Sequence, residues 1–157
     1  MRTLRLHSFL PYRLSITANA VSRVISAAYE ERFGLSVPEW RLIAVLHEHG
    51  SGTQQDLVRL TLMDKVAVSR AAVTLDERGL IDRTQDTKDG RARRLCLSIS
   101  GKELHRRISP AALKYEEEIL ASFSAPEIAV LKDMLTRIED AAQNIAARHL
   151  EEAKSTA

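Results

Sequence analysis

The sequence predicts a mainly helical fold with one small β-hairpin just past its midpoint. Three observations lead there. Apolar residues recur at intervals of three and four along most of the chain, the repeat of helices that bury one face. Only 4% of the 157 residues are aromatic while 45% are hydrophobic, so the core is built from Ala, Leu, Ile and Val. Leu95, Leu97 and Ile99 alternate with Cys96 and Ser98, the period-two pattern of a half-buried strand.

The helix starts share one signature. In a capping box, a Ser or Thr and an acid three residues later each bond the other's free N–H. Ser36 with Glu39, Thr53 with Asp56, Ser100 with Glu103 and Ser124 with Glu127 all fit it. Hydrophobic staples are expected across three of these caps, pairing Leu35 with Trp40, Ile99 with Leu104 and Phe123 with Ile128.

The first helix is predicted from about Pro11 to Phe33, with Leu14, Val21, Val24, Ile25 and Ala28 on its buried face and Gly34 as its stop. The second runs from Val37 to about His49, broken by Gly50-Ser51-Gly52. The third is short, Gln54 to about Leu60, and Thr61-Leu62-Met63 is the turn after it. The fourth starts after Asp64 as N-cap and ends at Gly79. Strands at Leu80–Arg83 and Leu95–Ile99 flank a polar loop with the turn signal Asp89-Gly90. The fifth helix starts after Ser100 and carries Pro110, which should kink or split it. The last runs from Pro126 to about Leu150, with a frayed tail beyond.

The order is therefore α-α-α-α-β-β-α-α. A short helix, a turn, a second helix ended by glycine and a basic hairpin make a winged helix-turn-helix. The terminal helices are too long for a winged core of roughly eighty residues to cover. A second copy of the chain is the economical cover, giving a two-fold homodimer. The expected organisation is a dimerisation and effector helix at 1–35, a winged helix-turn-helix at 36–100 and dimerisation helices at 101–157.

The net charge is only +2, but it is unevenly placed. Between Arg78 and Arg94 lie six cations (Arg78, Arg83, Lys88, Arg91, Arg93, Arg94) against three anions. A cationic patch on a near-neutral chain suggests an anionic partner surface. A solvated charged hairpin would look the same on charge alone. The one cysteine, Cys96, permits no intrachain disulfide. No apolar run is long enough for a signal-peptide core or for the ~20 residues of a membrane span, so a cytoplasmic protein is expected.

In a helix-turn-helix the second helix enters the DNA major groove. Val68, Ala72 and Leu75 should face the core, which turns Lys65, Val66, Ser69, Arg70, Val73 and Thr74 outward. Arg70 can donate two hydrogen bonds to a guanine. Ser69 can reach a base edge or a phosphate, and Lys65, near the helix start, is placed for phosphate. Val66 and Val73 can pack on thymine methyls. Thr53, Gln54 and Gln55 can present hydroxyl, amide and free N–H groups to phosphate. In the hairpin, Lys88, Arg91 and Arg93 are the cations at and beyond the tip, and Arg91 suits a narrow minor groove. Asp86 and Asp89 are expected to orient Arg91 or Arg93 through a salt bridge.

These residues resemble the MarR-type bacterial transcription regulators. The resemblance rests on Asp86, Asp89 and Arg91 followed by Leu97-Ser98-Ile99-Ser100-Gly101. It rests also on Val68-Ser69-Arg70 and Leu75-Asp76-Glu77-Arg78-Gly79-Leu80 in the recognition helix. It covers nearly the whole chain. It implies a dimeric repressor or activator on a palindromic operator, with the wing arginine in the minor groove and the fourth helix in the major groove. Val73 departs from the pattern, since many relatives are polar there, and should alter base preference.

The resemblance further implies a small aromatic or phenolic acid, or its acyl-CoA thioester, bound between the dimer helices and the winged helix. The stretches Leu10–Ser15 and Phe33–Arg41 look like the subgroup that controls aromatic or hydroxycinnamate catabolism. His7, Phe9, Tyr12, Arg13, Trp40 and Arg41 are the candidate pocket residues. Tyr12 and Trp40 offer flat walls, and Arg13 or Arg41 can pair with a carboxylate. The bland alternative is that Phe9 and Trp40 are core and that the arginines pair with Glu30, Glu31 or Glu39. Peroxide-sensing relatives carry a cysteine near the start of the first helix, where this chain has none.

No nucleophile–base constellation, phosphate-binding glycine loop or metal-ligand spacing occurs, so no enzyme, cofactor or metal is expected. The competing reading is a winged helix used for protein–protein assembly without DNA, which would have no need for Arg70 or a wing arginine.

Overall fold

The computed structural model of the protein describes residues 4–85 and 93–155. One turn of 3-10 helix, Leu6–Ser8, precedes α1 (Leu10–Phe33) and α2 (Val37–His49). Next come β1 (Ser51–Thr53), α3 (Gln54–Thr61) and α4 (Lys65–Glu77). Then follow β2 (Ile81–Gln85), β3 (Arg93–Leu97), α5 (Ile99–Ile119) and α6 (Ala125–Ser155). The mainly helical winged fold expected from the sequence is the fold observed. The chain divides into two compact units, Met1–Leu113 and Lys114–Ala157, with the boundary inside α5.

In the first unit, α2 sits at the centre. Leu42, Ile43 and Leu46 from α2 pack with Leu57 of α3, Val68 and Leu75 of α4, Leu95 and Leu97 of β3, and Ile108 of α5, all buried. Each such side chain contributes about 1.5–3 kcal/mol on burial. Tyr29 is the aromatic in this core, at 1% exposure.

The glycine stops work as expected. Gly34 adopts φ 60° and Gly79 φ 65°, the left-handed turn that ends a helix without a Cβ penalty. Three of the capping pairs close. Glu39 accepts from the Ser36 N–H at 2.9 Å, Asp56 from the Thr53 N–H at 3.0 Å, and Glu127 from the Ser124 N–H at 2.8 Å.

The fourth pair does not close. Glu103 instead takes two hydrogen bonds from Arg106 at 3.0 and 2.7 Å. The cap of α5 is Ser98, whose hydroxyl accepts from the Gly101 N–H at 3.0 Å and donates to the Gly79 carbonyl at 2.7 Å. The expected staple from Ile99 is also absent, since Ile99 is 88% exposed. Position 101 must be glycine, because a Cβ there would overlap the Leu80 carbonyl oxygen.

Two further expectations are corrected. Pro110 does not split α5, which is one helix of 21 residues. The carbonyl that loses its partner belongs to Arg106, an exposed residue that water can reach. The sheet has three strands, in the order β1-β3-β2, all antiparallel. β1 pairs Gly52 with Leu95 and Thr53 with Arg94, and β2 pairs Arg83 with Leu95. The inner wing strand is thus bonded on both edges. β3 lies two residues closer to the loop than expected, and β2 starts one residue later and ends two residues later.

In the second unit, α6 begins after the Ser124 cap and runs 31 residues. Lys132 reaches Glu116 at 3.3 Å. Val130, Leu131, Met134, Leu135, Ile138 and Ile145 remain exposed along α6.

Candidate nucleic-acid interface

Helix α3 is held at its start by a reciprocal cap. The Thr53 hydroxyl accepts from the Asp56 N–H at 3.1 Å and donates to Asp56 Oδ2 at 2.9 Å. Those bonds hold the Asp56 carboxyl below its ordinary value of 3.8, the Thr53 backbone first and its hydroxyl second. The hydroxyl predicted to face phosphate is therefore engaged in the cap. Gln55 is exposed and Gln54 half-buried in the first turn.

The turn between α3 and α4 is tight. Thr61 Oγ1 donates to the Leu57 carbonyl at 2.6 Å and accepts from the Met63 N–H at 3.3 Å. Leu62 supplies the change of direction with φ 52°, a left-handed conformation that leucine adopts at a cost of about 1–2 kcal/mol. Asp64 then caps α4, accepting from the Ala67 N–H at 2.8 Å. A short helix, a three-residue turn and a capped second helix make up the helix-turn-helix.

Helix α4 buries Val68, Ala71, Ala72 and Leu75 against the core. Its other face leaves Lys65, Val66, Arg70 and Val73 exposed and Ser69 and Thr74 half-buried. The predicted outward set is therefore together on one face. Thr74 Oγ1 donates to the Arg70 carbonyl at 3.2 Å, which leaves its hydroxyl lone pairs to accept.

The charged stretch after α4 is less free than its composition suggests. Arg78 donates to the carbonyls of Gly34 and Phe33 at 2.7 and 3.1 Å. Arg83 pairs with Asp76 at 2.8 Å. Arg94 bonds the Ser51 hydroxyl and carbonyl at 3.1 and 2.9 Å and approaches Asp56 at 3.9 Å. Arg93 is exposed at the start of β3, paired across the ladder with Gln85. Asp86, Lys88, Asp89 and Arg91 lie outside the described residues.

The candidate effector residues fall into two sets. His7, Phe9, Tyr12 and Arg13 are exposed at the start of the chain, and Arg41 is exposed on α2. Trp40 is half-buried between rings that the sequence reading missed. Its ring centroid lies 5.0 Å from that of Tyr29 and 5.8 Å from that of His105, and His105 stacks on His47 at 3.7 Å. Burial, and then the neighbouring His47, push the His105 imidazole below its ordinary 6.5. His47 lies seven residues after Trp40, two turns along one helix face, so a helical projection finds it. Nothing local in the sequence points to His105.

Cys96 is half-buried, its Sγ 3.8 Å from the Asp82 carbonyl oxygen. Among the described residues no group of three or more His, Cys, Asp or Glu side chains could hold a metal. Among them, too, no helix is long and apolar enough to cross a membrane.

Comparison with known proteins gives a consistent picture. Residues 33–92 match the sequence model of the MarR family. The chain is 28% identical over 127 residues to the uncharacterized HTH-type transcriptional regulator YdgJ of Bacillus subtilis, spanning 81% of this chain and 77% of that protein. The fold matches a MarR/EmrR family transcriptional regulator from Acinetobacter with a TM-score of 0.83 at 26% identity, covering 90% of this chain and 99% of that one. Two more distant proteins share the fold. Sco3205 of Streptomyces coelicolor, a MarR family regulator solved in complex with DNA, has TM-score 0.76 at 20% identity over 89% of each chain. NadR, solved with 4-hydroxyphenylacetate, has TM-score 0.74 at 22% identity over 88% of this chain and 97% of that one. In its winged segment and its fold, the chain is similar to the MarR family of transcriptional regulators.

Proposed function

We propose that the protein is a homodimeric repressor that binds a palindromic operator and leaves it when a small aromatic acid, or its CoA thioester, binds. The observation that carries the DNA reading is the outward face of α4. It sets Arg70 and Lys65 beside the methyl-bearing Val66 and Val73 on a helix whose other face is buried. Arg70 reads a guanine, Lys65 meets phosphate, and Ser69 and Thr74 reach base edges or phosphate. Gln54, Gln55 and the free N–H groups at the start of α3 meet the backbone. Arg91, with Lys88 and Arg93, enters the flanking minor groove, and Asp86 and Asp89 orient the arginines.

Two copies would join through 1–35 and 101–157. The exposed apolar side chains of α6 support this, since a helix with such a stripe is stable in water when another surface covers it. The effector would sit by His7, Phe9, Tyr12 and Arg13 with Trp40 and Arg41. The ligand held by NadR, a hydroxylated aromatic acid, supports that chemistry.

Fluorescence anisotropy with the DNA upstream of the protein's own gene tests this reading, against a scrambled duplex at two salt concentrations. Selective binding that weakens steeply with salt is the expected result. Equal, salt-insensitive behaviour on both duplexes would overturn it and leave the winged helix as a protein-assembly surface. Repeating the titration with phenolic acids and their CoA thioesters tests release.

A further inference from the structure

Arg94 joins three pieces of the first unit at one guanidinium. It stands on β3, with its backbone laddered to Thr53 of β1 on one side and to Thr84 of β2 on the other. Its Nε donates to the Ser51 hydroxyl at 3.1 Å and its Nη2 to the Ser51 carbonyl at 2.9 Å. Its Nη1 faces Asp56 Oδ2 at 3.9 Å, the longest of the three contacts. That same oxygen accepts from the Thr53 N–H and hydroxyl in the cap of α3. We propose that Arg94 is a positioning residue, which locks the inner wing strand to the start of α3 and so aims the neighbouring Arg93 at DNA. This rests on the reading of α4 and the wing as a DNA-binding surface, and adds to it a residue that acts without touching the duplex.

Consecutive side chains of a strand leave it on opposite faces. Leu95 and Leu97 are buried, so Arg93 shares their side of β3 but stands past the core, exposed. Arg94 lies on the other side, half-buried. The direction of Arg93 is therefore set by how firmly β3 is held at this point. The ladder with β1 is short, pairing Ser51 with Cys96, Gly52 with Leu95 and Thr53 with Arg94. Arg94 is its last rung before the loop, the place where a short ladder frays. The side chain closes that end. Its backbone pairs with Thr53, and its guanidinium grips Ser51 at the far end of the same strand.

The outer wing strand has its own tie. Arg83 of β2 reaches Asp76, near the end of α4, at 2.8 Å. One strand is thus fastened toward each helix of the helix-turn-helix, β3 toward α3 and β2 toward α4. A single tie sets a distance, whereas two ties to different helices also set an angle.

The contacts demand arginine rather than a positive charge. Two of the three go to neutral oxygens of one residue, which a planar fork meets together and an ammonium does not. A guanidinium engaged in this way is also poorly placed to meet a phosphate. Loss of the fork with the charge retained therefore separates positioning from attraction to DNA.

The test is fluorescence anisotropy on the DNA upstream of the protein's own gene, with Arg94→Lys, Arg93→Ala, Arg70→Ala and their pairings. Arg94→Lys should weaken binding at least fivefold although the net charge is unchanged. Arg93→Ala should weaken the wild type at least threefold yet leave Arg94→Lys almost unaffected, while Arg70→Ala costs the same factor in both backgrounds. Ser51→Ala, which removes the hydroxyl contact alone, should show a smaller loss of the same kind and serves if Arg94→Lys does not fold. Circular dichroism confirms which variants are folded. Wild-type affinity in Arg94→Lys, or an Arg93→Ala loss equal in both backgrounds, would overturn the proposal.

A second measurement needs no DNA. Spin labels at Gln55→Cys and Gln85→Cys, both exposed positions, report the distance from α3 to the wing in a Cys96→Ser background. Excess unlabelled protein restricts the reading to pairs within one chain. The distance distribution should be narrow with Arg94 and broad with Arg94→Lys. An unchanged distribution would overturn the lock whatever the duplex titration gives. A duplex that the wild type does not select would sink the DNA reading and the aiming of Arg93 with it, while the distances still decide the lock.

Discussion

The Arg78 guanidinium donates to the Gly34 carbonyl oxygen across 44 residues of sequence, at 2.7 Å, and so fastens the end of α4 to the end of α1. A second bond to Phe33 makes the grip two-pronged. Arg78→Ala should cost about 1.5–3 kcal/mol of unfolding free energy, the range for charge-assisted hydrogen bonds. Urea denaturation measures it. Arg78→Lys should not restore the loss, because an ammonium cannot reproduce the planar fork. A lysine variant as stable as wild type would show that the bond geometry is unimportant.

Gly101→Ala should be far more damaging than its size suggests. The added methyl would overlap the backbone oxygen of Leu80, and neither α5 nor the α4–β2 turn can yield without breaking the Ser98 cap. A loss above about 3 kcal/mol, or failure to accumulate as folded protein, is expected. Thermal melts of the purified variant decide it.

Leu62→Gly should act in the opposite direction. Leu62 is 60% exposed, so its side chain is not needed for burial, while its positive φ is strained. Glycine removes the strain but loosens the unfolded chain, leaving a net gain of about 0.5–1 kcal/mol. A lowered denaturation midpoint would show that the leucine has a packing role.

Acid should weaken the fold through His105. Its folded-state pKa lies below the ordinary 6.5, so between those two values the unfolded chain binds more protons and stability falls as pH falls. The loss begins near pH 6.5 and levels off below the folded value. His105→Phe keeps a ring against Trp40 and should flatten this part of the profile. An unchanged slope from pH 7 to pH 5 would assign it to another group.

Arg70→Ala should leave the melting curve unchanged, since the side chain is exposed. It should cost about 1–3 kcal/mol of affinity for the selected duplex and relax preference at one base pair. Lys65→Ala should instead weaken all duplexes alike and reduce the salt slope by about one. The two variants together separate base reading from phosphate attraction.

Helix ends and the buried face of α4 were legible because they depend on near neighbours in sequence. Thr53 and Asp56, or Asp64 and Ala67, find each other within one turn. Other features arise between distant segments. The strand Ser51–Thr53 holds no alternation to detect and exists because Leu95 and Arg94 offer it a ladder. Ser100 looked like the cap of α5, but Ser98 takes that place because only its hydroxyl also reaches Gly79. The charge of Arg78, Arg83 and Arg94 was plain in the sequence, whereas their partners Gly34, Asp76 and Ser51 were not. The same holds for Trp40, whose stacking on His105 joins α2 to a helix 65 residues away in sequence.

Thr53 ends the strand β1 and caps α3 with the same residue, so no connecting residue separates the wing's sheet from the first helix of the helix-turn-helix. Lineages of this chain therefore have no room here for length variation. A single inserted or deleted residue between Gly50 and Gln54 would put the ladder and the cap out of phase at once. Descendants are expected to diverge at this point by substitution alone, with a hydroxyl or carboxamide kept at position 53.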